Sequence, residues 1–240
     1  MSGTKVSDSS SPALAAQTWR LEPGDRLTRA EFERRYDAMP ELKKAELIEG
    51  VVYMPSPVRL RRHGRPTRHL STWLGAYEAA TPGVLGADNT SIRLDLDNEP
   101  QPDCILFIDP QCGGRVRISE DDYLEGPPEL VAEVTSSTVS YDLGDKLDAF
   151  RRNGVREYIV WRVLDGQIDW FVLREGRYEP LPREEGRYRS ETFPGLWLDV
   201  DAMLAGNLSR VLEVLQQGLA SAEHAQFVTR LSQQSSKESG

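Results

Sequence analysis

Gln101-Pro102-Asp103-Cys104-Ile105-Leu106-Phe107-Ile108 passes from an acid, Asp103, into five apolar residues, the pattern of a buried strand. Leu130-Val131-Ala132-Glu133-Val134-Thr135 is a second such run, with a carboxylate inside it. The periodic segment that follows, Asp142 to Arg152, sets Lys146 among Leu143, Leu147 and Phe150. Two acids and a lysine therefore fall on segments otherwise suited to a core. Burying unpaired charge is costly, so these groups need compensation, and a metal site is one way to provide it.

Periodicity orients the three groups. At about 100° per residue, Leu143, Lys146, Leu147 and Phe150 share one helical stripe, whereas Asp145, Asp148 and Arg152 point elsewhere. Lys146 is thus expected to face the sheet. Along the second strand, Val131, Glu133 and Thr135 share one face and Leu130, Ala132 and Val134 the other. If the two strands pair, Asp103 and Glu133 converge and Lys146 reaches over them. Converging carboxylates with open water positions suit Mg²⁺ or Mn²⁺, and a neighbouring lysine can assist an attacking water or stabilise phosphorane charge. Spacing alone also admits a second arrangement, in which Asp103 caps a turn and Glu133 and Lys146 form a buried ion pair without metal.

Outward from this centre, Thr28-Arg29-Ala30-Glu31 has the form of a capping box, and its helix ends before Pro40. Glu46 to Met54 reads as two short strands around Gly50. Leu60 to Ala80 reads as a helix whose true start lies near Arg65, because Pro66 suits a first turn. A strand is expected at Ser91–Leu96 and a loop from Pro110 to Gly126. Asn153-Gly154 stops the Lys146 helix, Glu157–Val163 is an apolar strand, and Asp165-Gly166 turns it into a hairpin with Gln167–Leu173. Short strands at Arg177–Leu181, Arg187–Thr192 and Leu196–Val200 extend it. The strand–helix–strand step from Leu130 to Val163 implies a parallel pair. The expected fold class is α/β, a mixed sheet flanked by helices with an antiparallel extension. Residues 1–18 read as a disordered lead-in, 19–200 as the main domain, 201–232 as one amphipathic helix and 233–240 as a disordered tail.

The chain has 240 residues, with net charge −9. An acidic total argues against a general nucleic-acid binder, yet its distribution is uneven. Between Gly50 and Tyr77 there is no acid, and Arg59, Arg61, Arg62, His63, Arg65, Arg68 and His69 cluster there. Such a patch can meet phosphate, and a solvated face reads equally well. No apolar run approaches the roughly 18 residues of a membrane span. Cys104 and Cys112 supply neither a disulfide framework nor zinc spacing, as expected of a reducing cytoplasm.

Glu46-Leu47-Ile48-Glu49-Gly50, Pro102-Asp103, Glu129 to Ser136, Asp142 to Leu147 and Gly154 to Tyr158, in that order, resemble the Uma-type restriction endonucleases of the PD-(D/E)XK nuclease superfamily. The resemblance covers roughly Thr28 to Val200. It implies a restriction-endonuclease-like fold and a metal-dependent DNA endonuclease. Asp103 and Glu133 are then ligands of Mg²⁺ (or Mn²⁺), Glu46 completes their shell, and Lys146 assists catalysis. The superfamily's plain pattern puts its lysine two positions after the second acid, where this chain has Thr135; in this family's version that role moves to the following helix, matching Lys146. Glu49 reads as a turn residue, and Tyr141 and Asp142 as neighbours able to position Lys146. DNA is the expected partner, through the Arg59–His69 cluster, and a homodimer is expected because two strands must be cut. The alternative is a nuclease fold without hydrolysis, acting as a nucleic-acid or protein-binding module.

Overall fold

The two apolar runs are neighbouring strands of one mixed sheet. The computed structural model describes residues 20–54, 58–136 and 139–238; the lead-in expected over 1–18 lies outside them. Helix α1 (Arg29–Asp37) precedes the hairpin β1 (Glu46–Ile48) and β2 (Val51–Tyr53), and a π-helical turn (Leu60–Gly64) runs into α2 (Arg65–Ala79). Strands β3 (Val84–Asp88), β4 (Ile92–Arg93), β5 (Cys104–Ile108), β6 (Arg117–Ile118), β7 (Leu124–Glu125) and β8 (Leu130–Thr135) follow. Next come α3 (Val139–Asp142), α4 (Asp145–Asn153), β9 (Glu157–Arg162), β10 (Gln167–Arg174) and β11 (Arg177–Pro180). The chain finishes with β12 (Arg187–Arg189), β13 (Trp197–Asp199), α5 (Val200–Leu204), α6 (Leu208–Leu219) and α7 (Ala222–Glu238).

The main sheet has the order β11-β10-β9-β8-β5-β3. Its one parallel pair is β8 with β9, joined through α3 and α4 as the strand–helix–strand step implies; the remaining pairs are antiparallel. Strand alternation divides the core. Leu130, Ala132 and Val134 face a large cluster with Leu70, Trp73 and Leu74 of α2 and Val211, Leu215 and Phe227 of the C-terminal helices. Val131 faces a second cluster with Ile105, Phe107, Val160 and Phe150 of α4. A third, smaller cluster joins Phe32 of α1 to Leu47 and Val52 of the hairpin.

Several expectations are corrected. The strand expected at Ser91–Leu96 shrinks to Ile92–Arg93, which pairs in a small three-stranded sheet, β4-β7-β6. Val84–Asp88 instead pairs with β5, and the expected loop over 110–126 contains β6 and β7. The single helix expected over 201–232 is three helices. Asn207 restarts the chain as an N-cap, its side chain accepting from the Arg210 N–H, and Ala220 caps the end of α6. The last helix continues to Glu238, through most of the segment expected as a frayed tail. Gly154, at φ 81°, terminates α4 in the left-handed conformation that glycine tolerates best.

Candidate active site

The site is assembled by strand pairing. Cys104 pairs with Ala132, so one step further Asp103 stands opposite Glu133. The Asp103 N–H donates to Glu133 Oε2 at 3.4 Å, and Asp103 Oδ2 accepts from the Val134 N–H at 2.8 Å. Helix α4 supplies the lysine from the expected stripe, with Lys146 and Phe150 buried and Leu143 and Leu147 packed beside them. The first turn of α4 depends on Gly144, where a Cβ would lie 2.5 Å from the Ser140 carbonyl oxygen.

Lys146 Nζ is 2.6 Å from Glu133 Oε1, 2.8 Å from Glu46 Oε1 and 3.9 Å from Asp142 Oδ1. Glu46, on β1, also accepts from the Gln101 N–H at 2.8 Å. The Tyr141 ring lies beside the ammonium, with Nζ 5.4 Å from its centroid, and stacks on Tyr53. The Tyr141 hydroxyl is buried without a hydrogen-bond partner among the described residues. Lys146 thus engages Glu133 and Glu46, while the basic partners of Asp103 are His63, with Nε2 at 3.2 Å, and Lys44, with Nζ at 3.9 Å.

Burial sets the electrostatics. Glu46, Asp103, Glu133 and Lys146 are each 5% exposed or less. Desolvation is the largest influence on Glu133; Lys146 opposes it, Asp103, Glu46 and Asp142 add to it, and the carboxyl is pushed up to about 8. Lys146 is driven the other way: burial opposes its charge, but Glu133, Glu46 and further neighbours raise it well above the ordinary lysine range. For Asp103 burial is again largest, yet the His63 and Lys44 contacts and the Val134 N–H outweigh it and lower the group. Carboxyls outnumber the lysines here, Glu46, Asp103, Glu133 and Asp142 against Lys146 and Lys44, and this surplus of acids adds to burial in raising Glu133.

That surplus allows a test of whether the implied divalent cation fits. The donors are carboxylate oxygens, the hard ligands Mg²⁺ and Mn²⁺ prefer. Glu46 Oε2 and Asp103 Oδ1 accept no hydrogen bond among the described residues. Among those residues, no three His, Cys, Asp or Glu side chains already surround a common point as metal ligands would. The donor set fits in kind, and Lys146 is the cation upon which Glu46 and Glu133 converge.

Residues 29–201 match the family Uma2, described as "Putative restriction endonuclease". This chain belongs to the Uma2 family. Its fold is similar to the crystal structure of a putative nuclease of DUF820 from Anabaena variabilis, at 14% identity and a TM-score of 0.57, covering 75% of this chain and 98% of that one. The shared fold is a restriction-endonuclease-like mixed sheet flanked by helices. No curated relative matches.

In this Uma2 chain the sequence reading placed Asp103, Glu133, Glu46 and Lys146 together, and they do meet. Glu49 is a turn residue as expected, at φ 54° between β1 and β2 and paired with Arg152. The basic cluster divides. Arg59, Arg61, Arg62, Arg65 and Arg68 are exposed, and none has a carboxylate partner among the described residues. His69 does not belong with them: it is buried, and burial followed by Arg65 lowers its pKa. His63 turns from this surface towards Asp103, a contact the sequence reading missed; its spacing offered no signal, since the two residues are 40 positions apart. Trp161 and Trp170 are core residues. Cys104 and Cys112 are both buried. No helix among the described residues is long and apolar enough to cross a membrane.

Proposed function

We propose that this chain is a metal-dependent endonuclease that hydrolyses phosphodiester bonds in DNA. The observation that carries the reading is the buried group of Glu46, Asp103 and Glu133 with Lys146 between two of them. Glu46, Asp103 and Glu133 would hold Mg²⁺ or Mn²⁺. When bound, the ion supplies Lewis-acid stabilisation of negative charge on the phosphoryl group. Lys146, kept protonated by its acids, donates towards the attacking water or the developing phosphorane charge. The exposed arginines from Arg59 to Arg68 bind the nucleic-acid backbone, bringing the scissile phosphate to the acidic mouth. A homodimer would present two such sites to two strands, and light scattering tests it. The buried thiol of Cys104 suits a cytoplasmic location.

Plasmid cleavage with Mg²⁺ or Mn²⁺ is the direct test. Asp103→Ala and Lys146→Ala should each lower the rate by about 100-fold or more. Cleavage at the parental rate in both variants would sink the proposal. Replacing Arg61 and Arg65 by alanine should weaken DNA binding and flatten its logarithmic salt dependence by about 0.9 for each phosphate left without its arginine.

A second reading, a binding module without hydrolysis, draws on the carboxylates converging on Lys146 and on Thr135 standing in the superfamily's usual lysine slot. Calorimetry showing no divalent-cation binding, together with salt-sensitive DNA binding, would favour it.

A further inference from the structure

His63 sits on the π-helical turn among exposed arginines, yet its ring is turned inward and held at both nitrogens. Nε2 is 3.2 Å from Asp103 Oδ2. Nδ1 is 3.1 Å from Thr67 Oγ1, one helical turn later, and that hydroxyl is also 2.9 Å from the His63 carbonyl. The turn is wider than an α-helix: the Gly64 N–H reaches back to the Arg59 carbonyl at 3.2 Å. Such insertions re-aim side chains and recur at functional positions. Here the wide turn carries His63 off the solvent face that its arginine neighbours occupy.

The contact divides the two oxygens of Asp103. A carboxylate oxygen only accepts, so Nε2 carries the hydrogen of its contact with Oδ2. Oδ2 also accepts from the Val134 N–H at 2.8 Å and so has two donors. Oδ1 has no hydrogen bond among the described residues, and its nearest cation, Lys44 Nζ, is 3.9 Å away. Without His63, the Val134 N–H alone would hold the carboxylate, and rotation about its terminal bond would exchange the oxygens.

We propose that His63 is a positioning residue, which by holding Oδ2 fixes Asp103 Oδ1 as the oxygen presented to a divalent cation. The inference rests on the reading of Asp103 as a ligand and deepens it. Outer partners of this kind orient metal ligands, and their loss weakens metal affinity without removing a ligand. Thr67 holds the ring from behind, so it acts on the same oxygen through His63.

Isothermal calorimetry with Mn²⁺ on the full chain tests this without relying on cleavage. His63→Ala should weaken Mn²⁺ binding by roughly 10- to 100-fold, and His63→Gln, whose amide N–H₂ can stand where Nε2 stood, should recover most of that loss. Thr67→Val keeps the ring but frees it, so it should weaken binding by a smaller factor, and it serves should the alanine variant fail to fold. His63→Ala or Thr67→Val folded and binding Mn²⁺ like the parent would overturn the inference and leave the metal reading standing. His63→Gln as weak as His63→Ala would also overturn it, because the donor would then not be the cause. A parent chain that binds no Mn²⁺ would overturn both.

Discussion

Two buried glutamates on adjacent strands, Glu133 of β8 and Glu157 of β9, meet opposite fates. Glu157 is fully buried, and its carboxylate is surrounded by neutral donors. Trp170 Nε1 donates at 2.9 Å, Ser190 Oγ at 2.8 Å, and the backbone N–H groups of Glu191 and Thr192 at 2.9 and 2.7 Å. Glu133 has one ammonium and one long backbone contact, and its other close neighbours are acids. Burial raises both groups. In Glu157 donors that carry no net charge answer the cost, and the acid staples the segment before β13 to the sheet. In Glu133 like charge adds to the cost. An acid satisfied by neutral donors belongs to architecture; one left among other acids marks a place where a cation can act.

The contrast breaks most readily at Glu157. Glu157→Ala would strand four donors, the Trp170 and Ser190 side chains among them buried, and leave a cavity, so stability in urea should fall by about 3–5 kcal/mol. A loss below about 1 kcal/mol would show the staple to be dispensable, on the scale of an ordinary surface substitution.

A third buried acid, Glu99, sharpens the comparison through pH. Burial, then the neighbouring Glu33 carboxyl, push it up to about 8. A raised carboxyl keeps its proton in the folded chain after the unfolded chain has lost it. Stability from Glu99 is therefore intact below about pH 4.5 and lost as pH rises through about 8. Glu133 is raised in the same sense. Melting temperature should decline from pH 6 to pH 9, and Glu99→Gln should remove part of that decline, a difference on the order of 2 kcal/mol at the alkaline end. An unchanged slope in the variant would exclude Glu99 as a source.

The smallest expected stability change is at Glu133 itself. Glu133→Gln keeps the shape and a hydrogen-bonding oxygen for Lys146 while removing a carboxyl that burial and neighbouring acids make costly to ionise. Its unfolding free energy should stay within about 1 kcal/mol of the parent or rise, even as cleavage is lost, the usual trade between stability and activity. A loss like that of Glu157→Ala would erase the distinction between the two acids.

Local periodicity made much of this legible. The alternation of Leu130 to Thr135 put Glu133 on the face opposite Leu130, and the stripe of α4 turned Lys146 inward, because both patterns are fixed by backbone geometry. What depended on distant partners was less visible. Val84–Asp88 joins the main sheet although Gly86 interrupts its pattern; there a Cβ would lie 3.0 Å from Glu78 Oε2 and 3.2 Å from Leu106 Cδ2, so close packing from α2 and β5 favours a residue without one. Ile92–Arg93 sits in a better-alternating run but, among the described residues, its strand partner is Leu124–Glu125. Gly206-Asn207 is a stop and a start in succession, readable locally, but the leucine spacing across it masked the break. The inward turn of His63 depends on the wide helical turn and on a strand 40 residues away, and no local pattern carries it.

The placement of Glu133 also has a parity. Each residue added to or removed from β8 ahead of it would exchange the two faces of everything downstream, unless a bulge absorbed the change. A single deletion at Val131 would turn Glu133 towards the cluster that holds Trp73 and Trp170 and bring an apolar neighbour to Lys146 in its place. Without such a bulge, odd changes in strand length are closed to this chain, and two residues is the shortest step by which β8 can vary and still keep its acid beside Asp103.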